Sequence, residues 1–140
     1  MYRETFRTVV APSDCDHLGH MNVSRYFAAC SDAVITFQAE FGLTSHDVLH
    51  GRRLSFAVVR AESNFKAELV AGDSIYMQTG LVELGTKSAV FRNRLFRNDG
   101  TLTFETLFRC VMLDLEARRA AAIPDEVREK ASELLLPKEH

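Results

Sequence analysis
A change of hydrophobic period part-way along the chain does most to limit its fold. Val23, Tyr26, Phe27, Cys30, Val34, Phe37 and Phe41 recur at three- and four-residue intervals, and Gly42 stands where a helix commonly ends. Beyond Gly51 the period becomes two. Four strand-like runs follow, over residues 54–69, 74–84, 88–97 and 102–115. The gaps between them, Ala71-Gly72-Asp73, Gly85-Thr86 and Asn98-Asp99-Gly100, are short and each contains Gly. Gaps of this length predict consecutive antiparallel pairing, because a parallel crossover needs a dozen or more residues.

One strand precedes the helix. Thr5 to Val10 alternates, with Phe6, Thr8 and Val10 on one face, and Pro12 ends the run. Pro124-Asp125-Glu126 opens a short C-terminal helix, with Pro expected at its first position and acids facing the helix dipole. The order is strand, long helix, four meandering strands, short helix. One sheet curled around one long helix buries the apolar faces of both, which is an α+β layout. At 140 residues, with no repeat or linker, the chain is expected to form a single domain over 1–140.

Composition excludes several classes. Apolar residues make up 46% and charged residues 26%, as in ordinary globular proteins. Seventeen Lys and Arg are interspersed with 19 Asp and Glu, which speaks against a nucleic-acid binder. No run approaches the roughly 18 apolar residues of a spanning helix, so no membrane partner is expected. The start of the sequence, Met1 to Phe6, carries charges where a signal peptide needs an apolar stretch. Three widely spaced Cys (Cys15, Cys30, Cys110) read as reduced thiols, and the expected location is cytoplasmic.

The densest cluster of titratable groups is Asp14-Cys15-Asp16-His17-Leu18-Gly19-His20-Met21-Asn22, between the first strand and the helix. Asn22 is the expected N-cap, its side chain accepting a backbone N–H of the first turn. The unpaired N–H groups of a helix start favour negative charge. Beside them, a carboxylate can attack a carbonyl or activate a water while the amides hold the oxyanion. The plainer alternatives stay open from the residues alone. Asp before a helix often serves only as a turn or cap residue. His17, His20, Asp14 and Asp16 contain metal-ligand types, but no second ligand group stands elsewhere in the chain, and no metal is expected. Cys15 reads as a turn-packing residue rather than a nucleophile, and Asp32 as a solvated flank of the helix.

The same loop, continued through Val23-Ser24-Arg25-Tyr26, resembles the signature D-x-D-x-x-G-H-x-N-x-x-x-Y of the 4-hydroxybenzoyl-CoA thioesterase family of hotdog enzymes. The resemblance continues through Val59-Arg60-Ala61-Glu62, Gly72-Asp73, Gly85-Thr86-Lys87-Ser88 with Phe91, Val111-Met112-Leu113-Asp114 and Ile123-Pro124-Asp125. It implies a hotdog fold and hydrolysis of an acyl-CoA thioester to free acid and CoA, with no cofactor. It also implies that Asp16 is the nucleophile or general base and that the backbone N–H at Val23 holds the oxyanion. Gly19 would allow the tight turn that brings backbone close to the thioester, with Asn22 beside it. Arg60, Lys87, Ser88 and Arg92 are the implied coenzyme A contacts, and a homodimer or homotetramer the implied assembly.

Two departures stand out. Ser63 and Asn64 replace what many relatives have as an apolar residue and Asp, and His17, Met21 and Val23 differ from the family's aromatic or Pro positions. The Gly19-His20-Met21-Asn22 stretch also resembles thioesterases of carnitine catabolism, which adds a small cationic acyl group to the candidates. A non-catalytic acyl-CoA-binding module and an acyl-thioester hydratase are the alternative readings. Hotdog hydratases resemble a motif with a His late on the helix, and none lies between Val23 and Phe41.

Overall fold
The computed structural model describes residues 1–138. The elements run β1 (Arg3–Val9), a 3-10 turn (Pro12–Asp14), α1 (Val23–Ala39), α2 (Ser45–His50), β2 (Leu54–Phe65), β3 (Ser74–Leu84), β4 (Ser88–Arg97), β5 (Leu102–Asp114), β6 (Arg119–Ala120) and α3 (Asp125–Glu133). One antiparallel sheet has the order β1-β3-β4-β5-β2, with the two-residue β6 also paired to β5. The sheet curls around α1 in the hotdog arrangement.

The period-three-to-four stripe of α1 and the period-two faces of the strands meet in one core. The helix buries Tyr26, Ala29, Cys30, Ala33, Val34, Phe37 and Gln38. From the sheet come Met77, Leu81, Phe91, Leu95, Phe104 and Phe108, all buried. Phe37 packs edge-on against Phe41 at 5.2 Å and Phe91 at 6.0 Å, the offset geometry that aromatic quadrupoles favour. The one amide in the helix stripe is bonded through both its nitrogen and its oxygen. Gln38 donates to Ser55 Oγ at 3.0 Å and accepts from the Phe56 N–H at 3.2 Å, tying the helix to the start of β2.

Consecutive pairing holds for β3 with β4 and for β4 with β5, but β2 does not pair with β3. It lies beside β5 at one edge, and β1 takes the open side of β3. The cause is the segment after Phe65, whose pattern predicts a strand prolonged to Leu69. It leaves the strand and crosses the sheet end instead. The N–H groups of Lys66 and Ala67 both donate to the Thr103 carbonyl, and Arg97 donates to the Glu68 carbonyl at 3.3 Å. Leu69 is then driven into the core at 0% exposure. Gly72 turns the chain into β3 at φ +95°, a conformation that costs glycine little.

Three smaller differences have local causes. α2 was not expected because six residues are too few to show a period; Thr44 caps it, accepting the Asp47 N–H at 3.2 Å. Pro124 is the cap residue of α3 rather than its first helical residue. The first strand begins at Arg3, two residues earlier than its alternation suggested.

Replacing Leu69 by Ala should cost about 2–5 kcal/mol of unfolding free energy, read as a lowered denaturant midpoint. A loss below 1 kcal/mol would mean that the crossing segment is not anchored by this side chain.

Candidate active site
The loop between the 3-10 turn and α1 is closed on itself. The Asp16 N–H donates to the His20 carbonyl and the Gly19 N–H returns to the Asp16 carbonyl, while Cys15 and Met21 form an isolated antiparallel bridge. Gly19 has φ +84°, so the tight turn expected of it is present. The loop is also fixed from outside, because the Met21 N–H donates to the Leu69 carbonyl of the crossing segment at 2.7 Å.

The two acids of the loop take different places. Asp14 is turned back into the scaffold, its carboxylate accepting from the Ala11 N–H at 2.9 Å and lying 3.6 Å from Arg25. Its carbonyl accepts the Asn22 N–H. Asp16 is half-buried and lines a groove with a volume of about 550 Å³, whose walls include His20, Met21, Val23, Tyr26, Phe65 and Lys66. Asp16 Oδ1 accepts the Leu18 N–H at 2.9 Å and Oδ2 accepts from the Asn22 side-chain amide at 3.1 Å. The Leu18 amide holds the carboxyl below its ordinary value of 3.8, against a smaller opposing effect of burial, and Asn22, His20 and His17 add to the lowering. Asp16 is therefore a carboxylate near neutral pH.

Asn22 works in two directions. Its Oδ1 accepts the Ser24 N–H at 2.9 Å and the Ser24 hydroxyl at 2.7 Å, the capping role expected of it. Its Nδ2 donates to Asp16. One planar amide thereby fixes the carboxylate relative to the first turn of α1. Val23 is the first residue of that turn, and a helix supplies no acceptor for the N–H there. The groove thus combines a carboxylate with a helix-start amide, an arrangement suited to acyl transfer.

Further groups line the groove. Lys66, Ala67 and Glu68 belong to the crossing segment, which the period-two pattern disguised as strand. Tyr26 ends the sequence signature, and burial raises its phenol above the ordinary 10.0, so it enters as a neutral hydroxyl. His20 Nδ1 lies 3.3 Å from the Met21 carbonyl, a hydrogen bond in the tautomer that carries its proton on Nδ1.

The four implied coenzyme contacts lie elsewhere in the chain. Arg60 is on the exposed edge strand beside Glu62 at 3.4 Å. Lys87 and Ser88 stand at the turn into β4, and Arg92 is on the convex face near the Tyr2 hydroxyl. None of them lines the Asp16 groove of its own chain. Among the described residues no three His, Cys, Asp or Glu side chains converge as a metal cage requires. Asp32 is exposed, and burial pushes the Cys30 and Cys110 thiols up to about 12. No described helix is long and apolar enough to cross a membrane.

A family model described as the thioesterase-like superfamily matches residues 10–131. The chain belongs to this superfamily. The long-chain acyl-CoA thioesterase FadM of Escherichia coli is 23% identical over 117 residues, covering 83% of this chain and 87% of the relative. A Staphylococcus aureus protein solved in complex with CoA superposes with a TM-score of 0.87 at 18% identity, over 100% of this chain and 90% of the other. A gentisyl-coenzyme A thioesterase does so with 0.79 at 23% identity, over 90% and 98%. These two likenesses establish the fold.

The Asn22 bond to Asp16 can be tested by pH. With the carboxyl held below 3.8, kcat/KM should stay flat as pH falls until that lowered value is reached. Asn22→Ser keeps a capping oxygen but removes the amide donor, so its acid limb should move up in pH. An unmoved limb would show that the amide does not act on the carboxylate.

Proposed function
We propose that the chain hydrolyses an acyl-CoA thioester to the free acid and CoA, with Asp16 as its reacting carboxylate. The observation that carries this reading is the Asn22 amide, which holds Asp16 beside the first turn of α1. In the direct route an Asp16 oxygen attacks the thioester carbonyl carbon. The carbon–sulfur bond breaks, the CoA thiolate leaves and takes a proton from water, and water then cleaves the mixed anhydride. In the alternative route Asp16 removes a proton from a water that attacks the same carbon. Either way the negative carbonyl oxygen is stabilised by the Val23 N–H and the helix start. A thiolate is a good leaving group, so no strong general acid is needed.

The open β2 edge suits a dimer joined edge to edge. Val58 is 46% exposed and Val59 64%, and an unpaired edge bearing apolar side chains invites another strand. In such an assembly Arg60, Lys87, Ser88 and Arg92 are the proposed contacts of the coenzyme arm, reached along the sheet surface and across the subunit boundary.

Asp16→Asn should lower kcat/KM for acyl-CoA by about 10²–10⁴-fold in a free-thiol assay while CoA affinity is retained. Unchanged turnover, or no cleavage of any acyl-CoA by the wild type, would refute the reading. Single turnover in oxygen-18 water tests the direct route: label in Asp16 marks an anhydride opened by water at the Asp16 carbon, which water activation never gives. For the assembly, Val59→Asp should shift the protein to monomer in sedimentation; an unchanged mass would rule out pairing through this edge.

A further inference from the structure
One row of polar side chains crosses the concave floor of the sheet. Thr5, Thr79, Asn93, Thr106 and Ser63 come from the five successive strands β1, β3, β4, β5 and β2, in register wherever the pairing is regular. Their neighbours two positions away on the same face are core residues: Met77 and Leu81, Leu95 and Phe91, Phe104 and Phe108. Thr79, Asn93 and Thr106 are at most 1% exposed, whereas Ser63 at the β2 edge is half-buried. A polar row in this place needs an explanation, because unpaired polar groups are costly in a core.

Half of the row is satisfied internally. Thr5 and Thr79 share a hydrogen bond at 2.8 Å, and the Thr79 hydroxyl donates to Asn93 Oδ1 at 2.7 Å. The other half is open. Among the described residues three buried side-chain polar atoms lack a partner: Asn93 Nδ2, Thr106 Oγ1 and Arg94 Nε. Arg94 lies on the opposite face, its guanidinium 3.9 Å from the Tyr2 ring centre. The remaining two atoms are cross-strand neighbours on the row. Other buried polar groups of this core, Gln38 and Thr103, are bonded.

The row also lies next to the Asp16 groove. Phe65, Phe104, Leu95 and Met77 form the adjacent row, and Phe65 lines the groove with Tyr26. Tyr26, Phe65 and Phe104 are in mutual ring contact at 4.8–5.1 Å. Two residues along a strand span about 7 Å, so the open polar atoms sit one row behind this aromatic wall. The half-buried Ser63 gives the row its open end.

We infer that the acyl group bound at the Asp16 site ends on this row, and that it is short and carries an oxygen that Asn93 and Thr106 recognise. Asn93 Nδ2 can only donate, so its partner must be an acceptor such as a hydroxyl or keto oxygen; Thr106 can donate or accept. A plain alkyl chain would leave both atoms unpaired. Sites built to bond a substrate hydroxyl reject the analogue lacking it far more strongly than apolar pockets reject a missing methylene. The inference rests on the thioesterase reading of Asp16.

The test compares kcat/KM for matched thioesters: butyryl-CoA with 3- and 4-hydroxybutyryl-CoA, and hexanoyl-CoA with 6-hydroxyhexanoyl-CoA. The wild type should prefer at least one hydroxyacyl partner by about tenfold or more. Thr106→Val should abolish that preference by slowing the hydroxyacyl substrate alone, with the thermal midpoint unchanged or raised, since an unpaired hydroxyl is removed. Asn93→Leu should act likewise, and if it does not fold the Thr106 variant decides. Equal or faster cleavage of the plain chains overturns the inference and leaves the thioesterase reading intact. So does a preference that survives Thr106→Val, or a midpoint that falls without a change in preference, the signature of a structural buried water. No cleavage of any thioester overturns the thioesterase reading and the inference together.

Discussion
The Asp16 loop is held in place by the route the chain takes around its own sheet. With β2 lying beside β5 rather than β3, the chain must cross the sheet end before β3 can begin. That crossing buries Leu69, presents its carbonyl to the Met21 N–H, and lays Lys66 to Glu68 along the groove wall. A backbone bond of 2.7 Å joins two segments some fifty residues apart in sequence. The strand order is therefore a condition of the site as well as of the fold. A hairpin between β2 and β3 would remove the wall and the anchor together.

Within that frame, one side chain links structure to chemistry. The Asn22 amide accepts from the helix start and donates to the carboxylate, so the reacting anion and the anion-stabilising helix start are aligned by a single rigid plane. A Ser or Thr cap would satisfy the helix equally well but would leave Asp16 Oδ2 without this donor. Gly19 contributes the positive-φ turn that lets the loop fold back to meet Asn22. Asp14, one turn earlier, is occupied by the Ala11 N–H and is bonded away from the groove.

Most of the architecture could be read from period alone, because the switch from 3.6 to two coincides with the boundary between helix and sheet. Val23 to Phe41 gave the central helix to within two residues, and Asn22 its cap. The strand order could not be read that way. Period says which face a residue occupies but not which strand is its neighbour, and the decisive information lay in Leu69, whose burial is a tertiary fact. The Asp16 loop was legible because local chain chemistry builds it: two Asp, a Gly and a capping Asn within nine residues. Asn93 and Thr106 were invisible, as each is an unremarkable polar residue in a strand until the register sets them side by side.

Phe65 belongs at once to the open β2 edge and to the wall of the groove, and the residue is 54% exposed. Whatever pairs with that edge touches the groove wall, and whatever fills the groove touches the edge. Where binding at one place alters the other, thermodynamic reciprocity makes their effects on each other equal. Any factor by which a neighbouring strand tightens the hold on a small molecule is the same factor by which that molecule tightens the hold on the strand.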